Sequence, residues 1–483
     1  MISNIIMFDN EILGGEDSTI FTMCMIFTFL ELVFTILLVK ELNLVVNFSN
    51  LFVIIFIVGT VFNLFLNLVL EHIDFMFRKK HGQDVPKELS NFITKETLVK
   101  TCKYENARYK LWIPRTIITT IVSVVLLFCG FYPALFNIFW NLTAGEAGKI
   151  AQNAALLAPN GNIYWTLLLF AVCASIPSSI IDLPFSLFRE FSIEKHFGFS
   201  KMTVKLWLLD QVKSLLLTVI LGVPILLLVV FAFEKTANTW WLWVACGYTL
   251  LSLLISIIYP MFIAPLFNKF TPLEEGDLKT RLTLLLQKCG FKANGLFVMD
   301  ASKRSKHSNA YFTGFGKSKR VVLYDTLIEQ MNVDEIEAVL GHELGHYKLH
   351  HITKRLCIMI PLVFVVLYVL SLFLTNQDLY TGFGFSTPTP VFFHMKLIGL
   401  FLLGQVFSGY GSIPSFFSNW SSRRDEFAAD KFAAKLCNGG DSLSSALIKL
   451  HKENLSEITV PKIYSRFKYD HPPLIERIQN IKK

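Results

Sequence analysis

Eight apolar runs, at about 20–39, 51–71, 116–140, 164–188, 213–233, 240–267, 355–374 and 392–418, constrain this chain more than any other feature. Each is long enough to cross a hydrocarbon core of about 30 Å as a helix. In lipid every backbone N–H and C=O must be satisfied within the protein, and a helix does this inside one run. Composition agrees: 53% of the residues are hydrophobic, 17% are charged, and mean hydropathy is +0.49. That balance excludes an ordinary soluble domain. The net charge of +8 is modest and falls largely between the runs. It reads as a topology signal rather than a nucleic-acid surface, so no nucleic-acid partner is expected.

The gaps give the topology. Those at 72–115, 189–212, 268–354 and 419–483 are rich in Lys and Arg, whereas 141–163, 234–239 and 375–391 hold Lys149, Lys235 and no basic residue respectively. This alternation is what seven spans from about residue 51 require, and it puts 268–354 and the C-terminus in the cytosol. The run 20–39 reads as an additional N-terminal span. Residues 1–19 contain no Lys or Arg, so no secretory signal is expected there. The expected organisation is an N-terminal segment 1–50, a membrane region 51–267, a soluble-like segment 268–354, two last spans within 355–418 and a C-terminal segment 419–483. Pro133, Pro177, Pro184, Pro224, Pro260 and Pro361 interrupt the spans, and such kinks are tolerated in a bundle. Asn141-Leu142-Thr143 is an N-glycosylation acceptor in a gap read as lumenal. Eight scattered Cys with no C-x-x-C form neither a disulfide framework nor a zinc knuckle.

One gap carries chemistry. Residues 332–346 end in His342-Glu343-Leu344-Gly345-His346, an H-E-x-x-H. Histidines four apart lie on one face of a helix, one turn apart, where both can ligate one metal ion. Glu343 sits beside the first, placed to act as general base on the attacking water. The helix is predicted independently: Asn332 and Glu335 form a capping-box pair, Asp334, Glu335 and Glu337 suit the positive end of the dipole, and Ile336, Val339 and Leu340 form an apolar stripe. His350 and His351, past its end, read as complementing the helix dipole rather than as ligands.

Two histidines leave a zinc ion short of protein ligands. Directly after the last run, Glu426 and Asp430 stand four apart in Arg423-Arg424-Asp425-Glu426-Phe427-Ala428-Ala429-Asp430. Glu426 is the expected third ligand, with Asp430 one turn on, accepting from a ligand histidine N–H. The small residues around them suit close helix packing. Residues 309–315 and 320–324 read as two strands of a hairpin. An extended peptide can add to such a strand at Ala310, with the Asn309 amide on the substrate backbone. His471 and Arg477 are the expected donors to the tetrahedral oxyanion.

Together, His342-Glu343-Leu344-Gly345-His346, the tract Ser308-Asn309-Ala310-Tyr311-Phe312, the 422–430 block and His471-Pro472-Pro473-Leu474-Ile475-Glu476-Arg477 resemble the type I CAAX prenyl proteases. The tracts 263–273 and 193–199 add to the resemblance, which runs from about residue 60 to the end. The resemblance implies a mainly α fold: a polytopic helical bundle of seven family-like spans around an intramembrane chamber, with a gluzincin-like zinc protease domain carrying a small β-sheet. The run 20–39 departs from it as an extra span. It implies one Zn2+ per chain on His342, His346 and Glu426, Glu343 as base and Asp430 behind a ligand. It implies prenylated CAAX proteins as substrates, cut to remove the last three residues, with a second upstream cut in some members. It also implies a monomer in the endoplasmic reticulum and inner nuclear membranes, with its active site facing the cytosol. Three alternatives are a membrane quality-control protease of the HtpX kind, against which the long membrane region argues; a site-two-type intramembrane protease, which needs its motif inside an apolar span, whereas the residues around His342 are charged; and a scaffold with a structural zinc, which would not need Glu343.

Overall fold

The computed structural model describes residues 44–143, 163–291, 295–313, 319–386, 395–437 and 439–482. The run 20–39 lies outside them. Six described helical segments are long and apolar enough to cross a membrane. Helix α1 (Leu51–His81) starts at Asn50, whose Oδ1 accepts from the Phe52 and Val53 N–H groups, and ends on Arg78, Lys79, Lys80 and His81. Helix α2 (Lys95–Phe128) begins on a Thr94 cap and is followed by α3 (Phe131–Thr143). Then come α4 (Ile163–Phe188) with a π-helical turn to Glu194, α5 (Val204–Lys235), and α6 (Trp240–Ile258), which continues through a second π turn.

One expected boundary is corrected. The run 116–140 is not a single span, because α2 already starts at Lys95 and the chain breaks at Gly130. Gly130 is left-handed at φ 75°, a backbone conformation open to glycine, and α3 restarts beyond it. Asn141 of the glycosylation triplet lies in the last turn of α3, where the Thr143 hydroxyl donates to the Phe139 carbonyl at 2.8 Å.

After α6 the chain builds a small sheet of β1 (Phe270–Pro272), β2 (Leu296–Met299), β3 (Ala310–Thr313) and β4 (Arg320–Tyr324), with α7 (Asp277–Lys288) between the first two. The order is β1-β2-β4-β3, with β2 and β4 parallel and the outer pairs antiparallel. The expected hairpin is present as β3 and β4, in register Ala310 opposite Leu323, and β3 is an edge strand. Strands β1 and β2 were not anticipated, since three or four residues are too few to show an alternating pattern.

Helix α8 (Val333–Lys348) follows with the predicted capping box: the Asn332 side chain accepts from the Glu335 N–H, and the Glu335 carboxylate from the Asn332 N–H. The span α9 (His351–Phe373) returns to the membrane. The expected last span 392–418 is corrected to two helices, α10 (Lys396–Ser408) and α11 (Ser412–Leu436), bent by 70°. Counting that pair as one crossing gives seven among the described residues. Beside the bend, Gly409 is packed so tightly against Gly59 of α1 that a Cβ there would lie 2.2 Å from the Gly59 carbonyl carbon. Helices α12 (Asp441–Glu453), α13 (Lys462–Lys468) and α14 (Leu474–Ile481) close the chain.

Two packed regions result. The membrane helices share one aromatic-rich core, including Phe170, Phe188, Tyr380 and Phe383. A second core gathers Leu282, Leu323, Ile336, Leu340 and Leu344 with Ala446 from beyond the last span. Its tightest seam is α8 on α11. A Cβ on Gly345 would sit 2.9 Å from the Ala429 Cα, and Ala429 and Ala433 are fully buried. Gly345→Ala is therefore expected to lower stability by roughly 1–3 kcal/mol, as overpacking does. Gly247→Ala in α6, where an added Cβ meets nothing within 4 Å, is the control. Thermal unfolding in detergent checks this, and equal midpoints for the two variants would contradict the seam.

Candidate metal centre

The α8–α11 seam brings three predicted ligands together. His342 and His346 project from one face of α8, and Glu426 from α11 across the seam. His342 Nε2 is 3.2 Å from His346 Nε2. Glu426 Oε2 is 3.3 Å from His342 Nε2, and Glu426 Oε1 is 3.2 Å from His346 Nε2. Ligand atoms 2.0–2.1 Å from a tetrahedral zinc lie about 3.3 Å from one another, so these spacings fit that ion. Among the described residues this is the one group of three or more His, Cys, Asp or Glu side chains suited to holding a metal ion.

The hydrogen bonding explains why the cluster favours a cation. His342 Nδ1 is 2.9 Å from Asp430 Oδ1, a carboxylate with no exposure. With the Nδ1 proton donated there, Nε2 presents a lone pair to the other two ligand atoms. Glu426 Oε2 is buried with no hydrogen-bond partner. Such an atom ordinarily needs one, and a cation at this point satisfies it. The same field acts on protons. Burial opposes the charged His342, but Asp430 and Glu426 outweigh it and push its pKa up to about 9. Burial likewise opposes the Glu426 carboxylate, yet its contacts with His342 and His346 hold it far below the usual carboxylate range.

Glu343, beside His342, is pushed above its ordinary value by burial, opposed by the two neighbouring imidazoles. His471 lies at the open side of the cluster. It is 57% exposed at its side chain, with Nε2 3.4 Å from Glu426 Oε1 and Nδ1 2.8 Å from Asp470 Oδ1. The Asp470 hydrogen bond raises its pKa against the effect of burial. Asn309 is exposed at the start of β3, where its Oδ1 accepts the Ala310 N–H at 2.8 Å and its carbonyl accepts from Tyr324. Ala310 is buried and opens the edge strand, which lies against α8.

Arg477 stands differently from the expected oxyanion donor. It is buried, and its Nε and Nη2 form a fork on Asp430 at 2.9 and 2.6 Å. Nη2 is also 3.6 Å from Glu426 Oε2. The guanidinium is committed behind the ligands, where it fixes the carboxylate that fixes His342. A tract of sequence shows that an arginine is near; only the packing of α14 on α11 shows which way it points. A second departure is His351, read from sequence as a dipole partner. Its Nδ1 is 2.9 Å from His346 Nδ1.

Known proteins match over most of the chain. Residues 74–269 match the family described as CAAX prenyl protease N-terminal, five membrane helices, and residues 272–483 match peptidase family M48. The CAAX prenyl protease 1 homolog of Arabidopsis thaliana is 39% identical, covering 82% of this chain and 90% of that protein. CAAX prenyl protease 1 of Saccharomyces cerevisiae is 34% identical, covering 83% and 89%. The crystal structure of S. mikatae Ste24p aligns with a TM-score of 0.79 at 32% identity, over 89% of this chain and 99% of that one.

Removing one partner from a buried ion pair leaves an uncompensated charge. Arg477→Met is therefore expected to destabilise the protein by roughly 3–5 kcal/mol. Arg477→Lys, which lacks the planar fork, is expected to recover only part of this. The readout is thermal unfolding in detergent, and a wild-type midpoint for Arg477→Met would contradict the assignment.

Proposed function

The chain belongs to the CAAX prenyl protease family of M48 peptidases, and from that premise we propose how its residues carry out the reaction. It is a multi-pass membrane metalloendopeptidase that processes C-terminally prenylated CAAX proteins. The observation that carries the assignment of the site is the convergence of His342 Nε2, His346 Nε2 and the Glu426 carboxylate at 3.2–3.3 Å.

The ion proposed there is zinc, one per chain, held by His342, His346 and Glu426. Bound in that set, it supplies a Lewis acid for the scissile carbonyl and lowers the pKa of water toward neutrality. Glu343 accepts a proton from the attacking water and returns it to the leaving amine. A carboxyl raised by burial suits both halves of that transfer. Asp430, fixed by Arg477, orients His342. His471, half-exposed beside Glu426 and raised by Asp470, is the donor to the oxyanion. The substrate extends along the edge strand β3, pairing at Ala310, with Asn309 on its backbone.

The proposed reaction removes the last three residues after prenylation, and the resemblance extends to the second upstream cut that some members make. A prenyl chain partitions into the bilayer through its apolar carbons, so an enzyme within the bilayer meets its substrate there. The apolar windows of the six spans are only 0–33% buried by protein, which supports helices spread around a chamber rather than a tight bundle. The segments 268–354 and 419–483 act as one catalytic unit, supported by the core they share through Ala446. A monomer in the endoplasmic reticulum and inner nuclear membranes, with this unit in the cytosol, accords with the basic gaps flanking it.

Purified protein is expected to cleave a farnesylated CAAX peptide and to stop when a chelator removes zinc. Glu343→Gln is expected to keep its zinc while losing turnover by at least about 100-fold, the range for loss of a general base; cleavage persisting in that variant would contradict its role. Asn309→Ala is expected to retain zinc and lose about 3–10-fold in kcat/KM, the worth of one hydrogen bond. Unchanged kinetics would remove Asn309 from the substrate path.

A further inference from the structure

We infer that His351 is a positioning residue for the metal centre, holding the ligand His346 in the tautomer and orientation that present Nε2 to the ion. The inference rests on the ligand set proposed above. His346 Nδ1 and His351 Nδ1 face each other at 2.9 Å, with the rings at 73°. Two ring nitrogens at that distance share one proton, and the donor can be assigned. His346 Nε2 points at Glu426 and His342, so its proton sits on Nδ1 and is donated to His351. His351 Nδ1 then accepts, which places the His351 proton on Nε2. That nitrogen faces Asp425 Oδ1 at 3.5 Å. The chain of contacts runs His346 to His351 to Asp425, with His351 buried at its centre.

The backbone is shaped to make this contact. In an uninterrupted helix, residue 351 would lie five positions after His346, about 140° round the axis and on another face. The chain instead turns at His350, a non-glycine residue in the left-handed region at φ 57° and ψ 32°. That conformation disfavours an L side chain by about 1–2 kcal/mol. Leu349 N–H closes α8 on the Gly345 carbonyl, His350 N–H bonds the Tyr347 carbonyl, and His351 opens α9 with its ring folded back under His346. The two ligand histidines therefore differ. His342 is oriented by a carboxylate that Arg477 holds, and His346 by a histidine on the first turn of a membrane span. The second arrangement ties the orientation of a ligand to the point where α9 leaves the catalytic segment.

The test is zinc affinity of the purified full-length protein in detergent, measured by competition with a chromophoric chelator, with thermal unfolding of each metal-free variant recorded alongside. His351→Ala is expected to bind zinc about 10–100-fold more weakly, the usual effect of losing such a partner. His351→Phe fills the space without an acceptor and is expected to behave like His351→Ala. His351→Asn, whose Oδ1 takes the place of Nδ1, is expected to recover most of the affinity. Wild-type affinity in His351→Phe would overturn the inference, because the residue would then act by packing alone. So would equal losses in all three variants, including Asn. His346→Ala in the same assay separates the two levels. If it releases zinc while His351→Ala and His351→Phe hold it as the wild type does, only this inference fails. If it too holds zinc as the wild type does, the ligand reading fails with it.

Discussion

The contact on which the centre depends is the approach of two helices with no side chain between them. Gly345 of α8 lies on the backbone of Ala429 in α11. Only at that spacing does the Glu426 carboxylate reach both histidines on the facing helix. The same approach buries Asp430 completely and leaves it room for His342 on one side and Arg477 on the other. Glu343, Glu426 and Asp430 against Arg477 leave two formal negative charges beside the imidazoles. A divalent cation neutralises them, and charges this far from water need such compensation.

The seam is in turn held against the membrane helices by charged contacts near the ends of the spans. Arg304, ahead of the edge strand β3, makes a two-point contact with Asp210 of α5 at 2.9 and 3.0 Å. His307, two residues before Asn309, stacks on Phe199, with its Nε2 3.4 Å from Glu194 at the end of the π-helical turn. Arg78 at the end of α1 reaches Glu457, beyond α12, at 2.7 Å. Ionisable groups in or beside spans are costly unless paired, and these pairs join the catalytic segments to the membrane region at several separate points. They fix where the edge strand β3 and the metal cluster lie relative to the bilayer in which a prenylated substrate is dissolved.

Much of this was legible in the residues. The span pattern follows from lipid admitting only long apolar helices, and α8 from a capping box, acidic first turn and apolar stripe that agree with one another. The grouping of His342, His346 and Glu426 was legible because helix periodicity makes i, i+4 pairs face one way. What escaped depends on where the chain departs from a regular element. The break at Gly130 and the 70° bend at 409–411 divide runs that hydropathy alone treats as continuous. His351 escaped because its place beside His346 is made by a left-handed residue, and no helical periodicity anticipates that. Arg477 was legible as part of the cluster, but its fork on Asp430, 47 residues distant in sequence, was not.

His342, His346 and Glu426 are proposed to form an open three-ligand zinc site, and the most direct test is zinc K-edge X-ray absorption on the purified, zinc-loaded protein. The expected spectrum has two imidazole nitrogens and one carboxylate at about 2.0–2.1 Å, plus one further light-atom ligand. That fourth ligand should change when a hydroxamate inhibitor is added, while the imidazole signal stays. A sulfur shell near about 2.3 Å, or a spectrum indifferent to the inhibitor, would mean a closed structural site and would contradict the catalytic reading.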